Sequence, residues 1–348
     1  MIAWALFFLS PTYGLANTVA SPWRISGWIW YVFVESYGSI FIALFWAFVI
    51  DICDQNSAKR GFAFMVMIGQ LGAIAFPQII NKWLPKYLGT SSWISVATCA
   101  PLVLGIIFIV YYFVKSTPKE LLKGYVVKDV SEKQHEPGFL EGLKLLVTHK
   151  YLLGIFGALA FFELISTFID FNFKTMVFAT LHSEAERSFY LTDYASTVNA
   201  LTFLFLLFGI NNIQRWLGIR TALALVPIIL GCFMLLFFFS STLSALFYLA
   251  LGAKAVNYAL NGPSLKQLYI PTTEDVRYKS QAWIETFGSR SAKAGASVLN
   301  LTKGAFAANS YIMMLTILSL GIAASWFFVA LLLADTYNKA IKKGEMVC

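Results

Sequence analysis

Apolar runs of 18 or more residues recur along this chain from one end to the other, and they constrain it more than anything else. A run of that length crosses the hydrocarbon core of a bilayer as one α-helix, with every backbone donor and acceptor satisfied inside the segment. The runs are continuous rather than alternating, which excludes a transmembrane β-barrel. Only 13% of the residues are charged and 58% are hydrophobic, about half the charge of an ordinary soluble domain. Spans are predicted at about 26–49, 61–83, 92–114, 151–178, 192–211, 219–239 and 243–262, with a weaker one at 288–308 and a last one at 310–335. The chain therefore reads as an all-α polytopic membrane protein with about nine full spans. The segment before Pro11 is too short to span and reads as a partial helix.

The loops divide the chain. Residues 115–150 are polar and carry Lys115, Lys119, Lys123, Lys128, Lys133, Lys144 and Lys150, with Pro118 and Pro137 as breakers. Within them GFLEGLKLLVTHK has the pattern of a short amphipathic helix on the membrane surface. Residues 1–114 then form an incomplete N-terminal bundle, 115–150 a central loop, 151–335 a six-helix bundle and 336–348 a tail. Six spans after a central basic loop match the second half of a 6+6 transporter. The first half would lack two helices and part of a third, and a separate chain supplying them becomes an expected partner.

Basic residues set the orientation. With the central loop in the cytoplasm, 19 of the 26 Lys and Arg residues fall on that side. Five (Arg24, Lys82, Lys86, Arg187, Lys303) fall outside, and Lys174 and Lys254 lie within spans. The C-terminus is predicted to be cytoplasmic. The net charge of +8 belongs to these loops and does not imply a nucleic-acid partner. The four cysteines are scattered, and the three histidines lie in loops without clustering, so neither a disulfide framework nor a metal site is indicated. No clustered catalytic constellation and no nucleotide-binding fingerprint is present, so the chain is not read as an enzyme and no cofactor is expected.

Charges inside spans are costly and mark interior faces, ion pairs or substrate paths. Glu35 sits well inside an apolar span with no local partner. Glu163, Asp170 and Lys174 fall at i, i+7 and i+11 on one helical face. Asp170 and Lys174 form an acid-first i,i+4 pair, either a structural bridge within one helix or a pair that opens to meet a charged substrate. Lys254, Asn257, Tyr258 and Asn261 make a second polar stripe, where Lys254 either snorkels to the interface or offers a point charge to a phosphate. Residues 254–293 are the most polar part of the second bundle, with Lys266, Arg277, Lys279, Arg290 and Lys293 outnumbering Glu274, Asp275 and Glu285. The helix that follows is rich in small residues from Gly288 to Ser297, a composition that permits close helix approach.

That stretch resembles the signature region of the non-mitochondrial ADP/ATP carriers, the nucleotide transporters of obligate intracellular bacteria and plastids. The matching positions are Asn261, Pro263, Lys266, the run Leu268-Tyr269-Ile270-Pro271, Tyr278-Lys279, Ala282-Trp283-Ile284-Glu285, Gly288, Arg290, Lys293 and Gly295. Glu35-Ser36-Tyr37-Gly38 with Phe45-Trp46 resembles the family's Glu-Leu-Trp-Gly span, with Ala58-Lys59-Arg60 following, and Asp170-x-x-x-Lys174 resembles its seventh-helix Glu-x-x-x-Lys. Two positions depart: Gln281 stands where the family usually has a second lysine, and Asp170 replaces a glutamate.

The resemblance covers about the last ten of twelve family helices. It implies a major-facilitator-like bundle lacking about the first two helices, exchanging ATP and ADP by alternating access, as a multi-pass protein of a bacterial inner membrane. It implies Glu35, Asp170 and Lys279 as residues of the transport path; the intramembrane charges and the second polar stripe add Lys174, Lys254, Asn257, Asn261 and Arg290 to the expected nucleotide site. A carrier of another phosphorylated solute and a non-functional truncated remnant are the alternatives.

Overall fold

The computed structural model describes residues 2–347 except 11, 15, 16, 18, 20, 22, 53, 54, 89–91, 119–140, 208–210, 241, 274, 275, 277–279 and 282; a further set of helical side chains, chiefly within 35–64 and 206–217, is also not described. Among the described residues every regular element is helical. The chain divides into two compact units, Met1–Gln134 and His135–Cys348.

The first unit holds α1 (Ile2–Phe8), α2 (Ile25–Ile52), α3 (Gln55–Gln78) and α4 (Ser92–Ser116). Between α3 and α4 a π-helical turn, Ile79–Trp83, leads into a short helix, Leu84–Leu88. Aromatic contact joins the first two helices. Trp4 meets Trp30 with ring centroids 5.0 Å apart, and Phe8 meets Trp30 at 4.9 Å. Along α4, Phe108, Ile109, Tyr111 and Tyr112 are all exposed within this unit.

The second unit begins with α5 (Glu141–Thr148), within the predicted amphipathic segment. Then come α6 (Lys150–Thr180), α7 (Glu184–Leu207), α8 (Asn211–Phe239), α9 (Leu243–Val256), α10 (Gly262–Gln267), α11 (Ser289–Leu301) and α12 (Ala308–Lys343). The central helix is α6. Leu152, Ile155, Ile165, Phe168 and Phe173 on it are fully or almost fully buried, as are Leu230 of α8, Leu246 of α9 and Trp326 of α12. Lipid is as apolar as these side chains, so close fit rather than water exclusion holds such helices together. Glycines supply that fit. A Cβ on Gly252 would stand 2.8 Å from the ring of Phe233, and one on Gly288 would stand 2.8 Å from the ring of Phe156.

Among the described residues four helices are long and apolar enough to cross a membrane by themselves: Trp93–Ser116, Lys150–Thr180, Gly218–Phe239 and Ala308–Lys343. The protein is therefore an all-α, multi-pass membrane protein. Of the other predicted spans, that at 26–49 lies within the continuous helix α2, and those at 61–83, 243–262 and 288–308 are interrupted. The run from 243 is helical only to Val256, then passes through a π-helical turn, Asn257–Asn261, into α10. The run from 288 is helical for 13 residues and ends in a 3₁₀ turn at Thr302–Ala305. The run predicted at 192–211 starts earlier, at Glu184, and its first turn carries Glu184 and Glu186. Within α8 the backbone breaks at Gly218, whose φ of 73° favours glycine, so the membrane-crossing part starts there.

Candidate functional site

The polar residues of α6 are the core of the site. Asp170 Oδ2 lies 2.8 Å from Lys174 Nζ, the i,i+4 pair expected from the spacing, and both side chains remain partly exposed. Two turns earlier Glu163 reaches across to α11. The Ser289 hydroxyl donates to Glu163 Oε1 at 2.7 Å, and Lys293 Nζ lies 3.5 Å from Oε2. Glu163 is the more buried partner, with 16% of its side chain exposed against 48% for Lys293. The small residues of α11 let it approach α6 closely enough for these short contacts. Sequence spacing placed Glu163 on the face of Asp170 and Lys174, and motif matching picked out Lys293, but neither located the pair.

The second stripe is reshaped by its backbone. From Asn257 to Asn261 the helix widens to a π turn, with the Asn257 N–H shared between the Ala253 and Lys254 carbonyls and the Gly262 N–H on the Asn257 carbonyl. Such a turn adds a residue to the helical circuit and re-aims the side chains that follow; π turns recur at functional sites. Asn261 is buried and donates through Nδ2 to Asn257 Oδ1 at 3.0 Å, so these two amides bind each other. Lys254 is half-buried and Tyr258 is exposed. Tyr258 and Asp170 both lie within electrostatic reach of Tyr194 on α7, whose buried hydroxyl has no hydrogen-bond partner among the described residues. Tyr194 also stacks near Phe173, with centroids 4.7 Å apart, and near Phe247 at 5.6 Å. Sequence reasoning missed Tyr194, because nothing in its local pattern distinguishes it from other helical tyrosines.

The signature loop carries its own ionic group. Lys266 Nζ donates to Glu285 Oε2 at 2.6 Å, and Gln281 Nε2 donates to Glu285 Oε1 at 2.7 Å. Gln281 thus binds a carboxylate that already holds one lysine. The loop is pinned from two sides, by the Tyr151 hydroxyl of α6 on the Leu268 carbonyl at 2.8 Å and by the Val347 N–H on the Pro271 carbonyl at 2.7 Å. Burial pushes the Tyr269 phenol well above the usual tyrosine range, with the Glu285 carboxylate and Tyr151 adding to the effect.

Arg290 lies exposed in the first turn of α11, one residue from Ser289. Lys279 lies outside the described residues. Glu35 is in α2, in the first unit, and its side chain is likewise outside the described set. At the far end of α6, Lys303 Nζ approaches Asn172 Oδ1 at 3.4 Å and lies over the rings of Phe171 and Tyr311. Among the described residues no group of three His, Cys, Asp or Glu side chains is placed to hold a metal ion.

The fold and these partly exposed ion pairs define a polytopic membrane protein with charged groups between its helices. The chain matches the TLC ATP/ADP transporter family over residues 6–337 and belongs to it. It is similar to ADP,ATP carrier protein 4 of Rickettsia conorii, 22% identical over 365 residues that cover 93% of this chain and 71% of that protein. It is also similar to the chloroplastic ADP,ATP carrier protein 2 of Arabidopsis thaliana, 22% identical over 91% of this chain and 56% of that protein. ADP,ATP carrier protein 3 of Rickettsia bellii is 25% identical over 81% of this chain and 64% of its own length. The chain therefore spans between about half and seven-tenths of the length of these relatives.

Proposed function

We propose that this chain is a nucleotide carrier that exchanges ATP and ADP across a membrane by alternating access. The observation that carries the reading is the face of α6, where Asp170 holds Lys174 and Glu163 holds Lys293. Family membership supplies the substrate class. A nucleotide brings several negative charges into a weakly solvating site, and ammonium groups bind phosphate as point charges. In the empty site a carboxylate neutralises each lysine. An incoming phosphate competes with that carboxylate, so the pairs open when substrate binds and close when it leaves. Lys254 and Arg290 extend the cationic surface, and Asn257 and Tyr194 offer neutral donors. Lys279 and Glu35 are assigned to the same path by resemblance, and Asn261 by its place in the polar stripe.

The reading includes a bacterial inner membrane location with the C-terminus in the cytoplasm, supported by the skew of basic residues. Uptake of labelled ATP by cells producing this chain, competed by unlabelled ADP, tests it. Uptake that unlabelled ADP leaves unchanged contradicts it. One observation favours a second reading, a carrier of another phosphorylated solute: Gln281 puts a neutral amide on Glu285 where relatives resembling this chain usually carry a lysine. Competition by a panel of phosphorylated compounds separates the two, and absence of any transport marks a non-functional remnant.

A further inference from the structure

A groove of about 810 Å³ runs between α6 and α12, away from the charged residues described above. Its volume is within the range of small-molecule sites, about 300–1,000 Å³. Residues Lys150, Gly154, Gly157 and Phe161 line it from α6, and Val329, Leu332, Leu333 and Thr336 line it from α12. Both sets repeat at i, i+3 or i+4, and i+7, so the groove follows one face of each helix along its axis. Glycine makes the floor: a Cβ on Gly154 would stand 2.8 Å from Leu333, and one on Gly157 would meet only the Phe161 ring at 3.9 Å.

The two ends of the groove differ. One is wholly apolar, at Phe161 and Val329. The other carries His149, exposed Lys150 and Thr336, and among the described residues no Asp or Glu lines it. The last turn of α12 carries Lys342 and Lys343 outside the lining, Lys343 paired with Glu345 at 3.7 Å, so Lys150 is the cation at the mouth. Both helices are long and apolar enough to cross a bilayer, so this is a hydrocarbon slot with a cationic mouth at the level of a membrane interface.

We infer that the groove binds an anionic phospholipid, with an acyl chain between α6 and α12 and the phosphate at Lys150. The shape is that of an amphiphile with one charged end, and the charge selects an anionic headgroup over a zwitterionic one. Val347, whose N–H holds the Pro271 carbonyl, lines the mouth. Lipid seated there therefore touches the residue that ties the tail to the signature loop.

Native mass spectrometry of the full chain in detergent tests this, titrated with phosphatidylglycerol and phosphatidylcholine. The expected result is preferential retention of phosphatidylglycerol. Lys150→Gln lowers that retention about five-fold and leaves phosphatidylcholine unchanged, the effect of one lysine beside an anionic surface. Gly157→Leu fills the slot and lowers retention of both lipids. Equal retention of the two lipids by the unmodified chain, or unchanged phosphatidylglycerol retention in Lys150→Gln, overturns the inference. So does loss of bound lipid on adding glycerol phosphate, which would mark a site for the anion alone. A dimer that Gly157→Leu disrupts would assign the groove to a second copy of the chain and overturn it equally.

Discussion

Glu163 of α6 and Lys293 of α11 meet across the interface of the two helices, Oε2 to Nζ at 3.5 Å, while Ser289 holds the other carboxylate oxygen at 2.7 Å. The carboxylate is mostly enclosed and the ammonium half open. In this arrangement the anion is fixed by the protein and the cation can leave it for another partner. Removing the exposed lysine strands the enclosed carboxylate and should therefore cost more stability than removing the carboxylate, which leaves a lysine that water can solvate.

Glu163→Gln keeps a group that can bind Ser289 and leaves Lys293 open to water. We expect a loss of less than about 1 kcal/mol in thermal unfolding measured in detergent, and about 1–2 kcal/mol for Lys293→Gln, which leaves the enclosed carboxylate without its counter-charge. The double variant should lose less than the sum of the two, because the second change removes nothing that the first had left intact. Strict additivity would show that the pair is not an energetic unit.

Asp170 and Lys174 should behave differently. Both are partly exposed and the pair lies within one helix, so breaking it should change stability by no more than about 0.5 kcal/mol. ATP uptake by Lys174→Gln should nevertheless fall at least ten-fold, since that cation is proposed to hold phosphate. Parallel unfolding and uptake measurements separate the two effects.

Gly288 and Gly295 lie seven residues apart around the start of α11 and make a matched comparison. Gly288→Ala places a methyl 2.8 Å from the Phe156 ring and should destabilise by about 1–3 kcal/mol. Nothing lies within 4 Å of a Cβ at Gly295, and Gly295→Ala in a helix interior should stabilise by about 0.5–1 kcal/mol. Unfolding midpoints of the two variants should move in opposite directions.

The tail is held by a backbone donor, so Val347→Pro removes the bond to Pro271 without removing a charge. Hydrogen exchange at residues 268–272 should speed up, while exchange in the middle of α6 stays unchanged. A uniform rise over the whole second unit would mean instead that the tail supports the bundle rather than the loop.

What the sequence made legible follows from how local each feature is. The apolar runs identified a helical membrane protein, because the length needed to cross a bilayer is a property of one segment. The Asp170–Lys174 pair was legible because four residues of helix fix the separation of those side chains. Glu163 and Lys293 were each visible but their meeting was not, since it depends on the register of α6 against α11, which no single segment encodes. The stripe from Lys254 to Asn261 assumed a regular helix; the π turn beginning at Asn257 alters that spacing, and Asn261 turns inward to Asn257. The tail-to-loop bond joins residues 76 positions apart through backbone atoms alone, for which side-chain identity carries no signal.

The central claim is exchange of nucleotide through a site whose lysines are held by carboxylates when it is empty. Its most direct test is uptake of labelled ATP into liposomes containing the purified chain, loaded inside with ADP or with buffer alone. The account predicts rapid uptake only into ADP-loaded liposomes, and its loss when Lys174→Gln and Lys293→Gln are combined. Equal uptake into loaded and unloaded liposomes, or undiminished exchange by the doubly substituted chain, would contradict it.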